Sequence, residues 1–174
     1  MAAGKGWDTD MQKFDVLHIE IERHDWAGMV CGCGRSADHI PTDFISALQK
    51  SAPSRAGEGW ADGHAYVQSN LMLPAAATTA MVMAALVSGV PDEHRRQLFI
   101  VLAALVNGEQ DDLAEACLEI VQGGSWLLYE EIASGRNIDA ASYAFEILQL
   151  IDDEAERLEF FRRAAAANLA PDLR

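Results

Sequence analysis

Beyond residue 36, apolar residues recur at helical spacing along almost the whole chain, and the strict alternation expected of half-buried strands is nearly absent. Gly, Pro, Asn and Asp fall between the periodic runs as punctuation. The pattern predicts helices over 41–50, 59–70, 74–88, 91–106, 111–122, 125–134, 138–151 and 153–169. The chain reads as one domain over 1–174, with residues 1–25 as an irregular N-terminal segment. Its 174 residues are enough to bury one sizeable core.

Several boundaries have a chemical reason. Pro41 starts one helix and Pro91 another, because proline has no amide proton to leave unpaired in a first turn; Asp92 and Glu93 then complement the helix dipole. Asn107-Gly108, Gly123-Gly124 and Ser134-Gly135 read as left-handed helix ends, with Ser125 as the cap of the helix that follows the glycine pair. The helices also differ in kind. Ala141, Ala144, Phe145, Leu148 and Ile151 form one apolar stripe with Glu146 and Gln149 away from it, as on a surface helix, whereas "LFIVLAALV" (98–106) is apolar all round and must be enclosed. Helical hairpins stacked on one another give this alternation, because each pair needs its neighbours to cover its apolar face. The expected fold is therefore all-α, a HEAT-like α-solenoid of three to four antiparallel helical hairpins in a right-handed superhelix. Comparable segments recur at about 40 residues, within the HEAT range.

"LMLPAAATTAMVMAALVSGV" (71–90) has twenty uncharged positions, the length of a membrane span. Alanine, threonine, serine, glycine and proline dilute it, and the next apolar run is too short to cross. A buried helix is the better reading, with no membrane partner expected.

Charge sharpens this picture. The formal net charge is −14, a field that repels phosphate backbones and attracts basic proteins, so direct nucleic-acid binding is disfavoured. The acid is uneven. Between Glu109 and Glu159 fourteen Asp and Glu face only Arg136 and Arg157, while residues 1–108 carry twelve acids and eight bases. Three cysteines, an odd number, and an N-terminus without a continuous apolar run point to a reduced, cytoplasmic setting.

Three phrases carry a resemblance: "SADHIPTDFISAL" (36–48), "WADGHAYVQSNLMLPAAATTAMVMAAL" (60–86) and "RRQLFIVLAALVNGE" (95–109). Together they resemble bacterial HEAT-like helical-repeat proteins over about residues 26–152. Ser69 stands where those proteins usually carry glycine, and Ser142-Tyr143 where a Val-Arg pair is common. The resemblance implies a protein-binding solenoid. Some proteins of this kind act as immunity partners of secreted toxins.

One stretch looks like chemistry. In "VCGCGRSADHIP" (30–41), Cys31, Cys33 and His39, with His24 upstream, offer four ligands of the kind zinc takes at about 2.0–2.3 Å. The single residue between the cysteines is short for a structural zinc site, and no second Cys or His pair follows. The stretch is read instead as a glycine turn with small buried thiols, and no metal or cofactor is expected. "HIE" (18–20) lacks the Pro-Cys-x-x-Cys half of a deaminase signature. No nucleophile elbow, P-loop or His-Glu-x-x-His is present, and no enzymatic activity is expected.

The resulting expectation is a protein-binding module. Asp111, Asp112, Glu115, Glu119, Glu130, Glu131, Asp152, Asp153, Glu154 and Glu156 would form an acidic docking face with Trp126 and Tyr129 as aromatic anchors. Its partner would be a basic protein, most specifically a cognate secreted toxin. A solvated surface is the bland alternative for the acids, and core packing for the aromatics, Trp60 and Tyr66 included. The functional alternatives are a general scaffold or adaptor, and a metal-dependent enzyme using Cys31, Cys33 and His39.

Overall fold

A computed structural model describes residues 15–174. The described chain is all-α, with eight α-helices and one very short strand pair: α1 Asp15–Glu22, α2 His39–Leu48, β1 Tyr66–Val67, β2 Asn70–Leu71, α3 Ala75–Val87, α4 Asp92–Val106, α5 Asp111–Gly123, α6 Ser125–Ser134, α7 Ile138–Leu148 and α8 Ala155–Ala164. Within 1–25, read as irregular, residues 15–22 are helical.

Helix α3 is the centre of one half. Every residue from Ala77 to Leu86 is buried, because α1, α4 and α5 all pack on it. Its small side chains let those neighbours come close, and the membrane-length apolar run is thereby explained as core. Among the described residues no helix is long and apolar enough to cross a membrane. Helix α4 joins the halves, touching α3 and α5 on one side and α7 on the other, which is why Leu98, Phe99, Val101, Leu102 and Leu105 are all enclosed. Helices α6 and α7 pair closely, and α8 lies against both. The stripe of Ala141, Ala144, Phe145 and Leu148 is buried as expected, with Glu146 and Gln149 outside.

The helix ends follow local chemistry. Asn137 caps α7, its side chain accepting the Ala140 amide at 2.9 Å. Gly135 ends α6 in the left-handed region at φ 65. Gly108 and Gly124 do not adopt that region. Gly108 is needed because a Cβ there would lie 2.2 Å from Leu71 Cγ, and Gly124 itself caps α6. Ser125 is therefore inside its helix and bonds Glu154 Oε1 at 3.1 Å instead.

The largest departure is at 59–70, where a helix is expected and a chain of turns ending in β1 and β2 is found. Trp60, Ala61, Ala65 and Tyr66 are buried, so the apolar pattern is genuine. The backbone bends instead of coiling, since Gly57, Gly59 and Gly63 all take positive φ and Gly57 O accepts three successive amides, from Trp60, Ala61 and Asp62. The strand pair is tied to α5 through Gln110, which accepts the Leu71 amide and donates to Asn70 Oδ1 at 3.1 Å.

Candidate functional site

Two loops meet beside the start of α2. In the first, Val30 and Ser36 form an antiparallel bridge, Cys31 N–H donates to Arg35 O at 2.8 Å and Gly34 N–H to Cys31 O at 2.8 Å. Gly34 at φ 81 makes this turn possible. The second loop, 57–67, approaches so closely that Gly32 N–H donates to His64 O at 2.8 Å. A Cβ on Gly32 would stand 2.9 Å from Gly63 O and 3.0 Å from His64 O, so only glycine fits between the loops.

This contact brings four side chains together. Cys31 Sγ lies 3.2 Å from His64 Nδ1, the two sulfurs are 3.3 Å apart, and Cys33 Sγ is 3.6 Å from His39 Nε2. The four donor atoms all fall within 4.8 Å of one another, and the imidazoles meet edge to face with centroids 4.8 Å apart. His39 is oriented from behind, its Nδ1 bonded to Asp43 Oδ2 at 2.9 Å one turn along α2. Cys31 is buried and Cys33 exposed. A backbone hydrogen bond at Arg35, followed by the Cys31 thiol, holds Cys33 down at about 5, while burial pushes Cys31 up from its ordinary value. One sulfur is thus readily a thiolate. Two soft sulfurs and two imidazoles form a donor set suited to a tetrahedral ion.

The glycine turn read from the sequence is present, but it is half of a larger arrangement. His64, the fourth member, lies in the stretch taken for a helix. His24 is not a member, since it bonds Glu20 Oε1 at 3.0 Å on α1 and packs edge-on to Trp26. The sequence signal for His64 was its setting, Asp62-Gly63-His64, a second glycine turn like the first.

The residues expected to form the acidic face divide into two groups. Glu131 is fully buried and paired with Arg95 Nη2 at 2.6 Å and Arg136 Nη2 at 2.9 Å; Glu130 binds the same Arg136 at 2.6 Å. Glu154 is buried, accepting from Ser125, from Tyr129 Oη at 2.9 Å and from Arg157 Nη1 at 2.7 Å. Tyr129 is buried too and lies against Phe161. Glu131, Glu154 and Tyr129 are therefore interior groups, spent on contacts between helices. Asp111, Asp112, Glu115, Glu119, Asp152, Asp153 and Glu156 are exposed, and none has an ion pair among the described residues. Trp126 is 64% exposed, with the Arg157 guanidinium 4.8 Å from its ring centre. Trp60 and Tyr66 are core residues.

No family model, no curated protein and no solved structure matches this chain.

Proposed function

We propose that the chain is a protein-binding helical module that takes a basic partner, most specifically as an immunity protein occluding the active site of a cationic toxin such as a nuclease. The observation that carries this reading is the set of seven exposed carboxylates that have no ion pair among the described residues, running along α5 and through 152–156, together with the exposed Trp126. The C-terminal end of α5 leads directly into α6, whose Ser125 holds Glu154, while Asp111 and Asp112 lie at the opposite end of α5. Uncompensated carboxylates accelerate encounter with a positive surface, and a Trp beside them supplies the apolar anchor typical of a binding hot spot. A nuclease cleft must attract phosphate, so a ligand of this character is steered to it and excludes substrate on arrival.

A HEAT-like, right-handed stacking of the hairpins belongs to this proposal, supported by the successive pairing of α3 with α4 and α6 with α7. So does a cytoplasmic, reducing location, consistent with three free thiols. The action is binding, without catalysis. The test is co-expression with a toxic basic protein encoded beside this chain: wild type protects, and a variant carrying D112K, E115K, D153K and E156K does not. Protection that survives all four reversals overturns the proposal.

A further inference from the structure

We propose that Cys31, Cys33, His39 and His64 form a closed, structural zinc site that clamps the 30–36 loop and α2 to the 57–67 loop. The argument is geometric. Tetrahedral zinc with sulfur at about 2.3 Å and nitrogen at about 2.0–2.1 Å sets donor–donor edges at roughly 3.3–3.8 Å. Three of the donor pairs measure 3.2, 3.3 and 3.6 Å and all six lie within 4.8 Å, so closing on an ion asks the widest pair to draw in by about 1 Å, a movement that rotation of the side chains supplies. Each imidazole presents a different nitrogen, Nε2 of His39 and Nδ1 of His64. The unused Nδ1 of His39 is held by Asp43, the outer carboxylate that commonly fixes the tautomer of a zinc-bound histidine.

The donor chemistry selects the ion. Two thiolates and two imidazoles suit zinc, whereas magnesium and calcium require oxygen. Four protein ligands leave no coordination position for water or substrate, so the role is structural. The surroundings give that role a purpose. Residues 49–65 contain no helix or strand, and α2 reaches the bundle through loop contacts: Phe44 lies on Trp60 at 4.5 Å between ring centres, and His94 Nε2 bonds the Lys50 carbonyl at 3.0 Å. A cross-link from Cys31 to His64 closes the loop that contains all of α2. The sequence argument against zinc, one residue between the cysteines and no second pair, fails because two histidines from separate segments complete the set.

The test uses the full-length chain purified under reducing conditions without added chelator. Elemental analysis should find about one zinc per chain, and cobalt(II) exchanged for it should show thiolate charge-transfer absorption together with the intense visible bands of tetrahedral coordination. C33S, at an exposed position, should weaken zinc by more than the roughly 10–100-fold that loss of an outer partner costs, and D43N should fall within that range. H24Q should retain full stoichiometry. Cobalt spectra need only wild-type protein, so misfolding of a variant leaves the test intact. Zinc-free wild type whose cobalt form lacks thiolate absorption, or C33S binding zinc as wild type does, overturns the site. Partner binding rests on other residues, so the two ideas fail separately: protection that survives the four charge reversals overturns the docking reading with zinc content unchanged, and zinc-free wild type whose cobalt form lacks thiolate absorption overturns the site with protection unchanged.

Discussion

Residues 29–71 and residues 75–164 are held together in different ways. The second region is a bundle whose helices bury apolar faces on each other, with a few internal ion pairs between them. In the first, regular α and β structure is limited to α2 and two two-residue strands; beside buried side chains such as Trp60 and Tyr66, the loops are joined by backbone hydrogen bonds and bring four sulfur and nitrogen donors to face one another. Helical order follows from neighbours three and four residues away. Loop order depends on partners some thirty residues apart, which a cross-link can hold and periodicity cannot.

The most damaging change is expected at the polar centre of the bundle. Glu131→Ala takes from Arg95, 5% exposed, its close counter-ion and leaves it only Glu130 at 3.8 Å, and losing one partner of a buried pair costs about 3–5 kcal/mol. Urea denaturation should show a loss of that size. A double replacement, Arg95→Met with Glu131→Leu, should recover much of it, because an apolar pair leaves no buried charge. A loss under about 1 kcal/mol in Glu131→Ala would mean that packing alone holds α4 to α6.

In the loop region the corresponding probe is Gly32→Ala. The added methyl would meet two backbone carbonyls, which cannot rotate away, so the loops must separate at a cost of about 1–3 kcal/mol. Hydrogen exchange should localise the damage, with amides of 30–37 and 57–67 exchanging faster while α6 and α7 stay protected. Uniform acceleration across both regions would show that the two are one cooperative unit.

The same contrast governs what could be read from the sequence. The helices expected at 74–88, 91–106, 111–122 and 125–134 are Ala75–Val87, Asp92–Val106, Asp111–Gly123 and Ser125–Ser134, because their apolar stripes and end residues are local signals. The helix expected from 41 begins at His39, with Pro41 inside its first turn. At 59–70 the buried Trp60, Ala61, Ala65 and Tyr66 imitate a helical stripe, and the positive-φ glycines among them decide otherwise. The cluster was half legible: Cys31, Cys33 and His39 lie within nine residues, but His64 joins them only through the approach that Gly32 permits. Burial of Glu131 and Glu154 was not legible, because groups that bind them inside the fold, Arg95 for Glu131 and Ser125 and Tyr129 for Glu154, lie 25 to 36 residues away along the chain.

A smaller effect is expected at the α7 cap. Asn137→Ala removes the acceptor for the Ala140 amide and should cost about 1 kcal/mol, whereas Asn137→Asp should be nearly neutral. Equal losses in the two variants would indicate that α7 is set by its packing on α4 and α6, with no contribution from its end.

The finest distinction lies between carboxylates used inside the molecule and those left free. Hydrogen bonding to Arg136 holds the Glu130 carboxyl below its ordinary value of 4.5. A carboxylate lowered in the folded state stabilises fully above its unfolded value and loses that contribution as pH falls through 4.5 towards its folded value. Stability should therefore be flat in this group's contribution from pH 7 to about 5 and decline below. Glu130→Gln should reduce the steepness of that decline while Arg136 remains paired with Glu131 at 2.9 Å. The change should be modest, since Glu130 is 52% exposed and water screens the pair. Asp112→Asn, which removes an exposed acid with no ion pair among the described residues, should leave the acid limb of the denaturation profile as in wild type. If Asp112→Asn flattens that limb as much as Glu130→Gln does, then net charge and not pairing governs acid stability, and the division of the acids into internal and available groups loses its energetic basis.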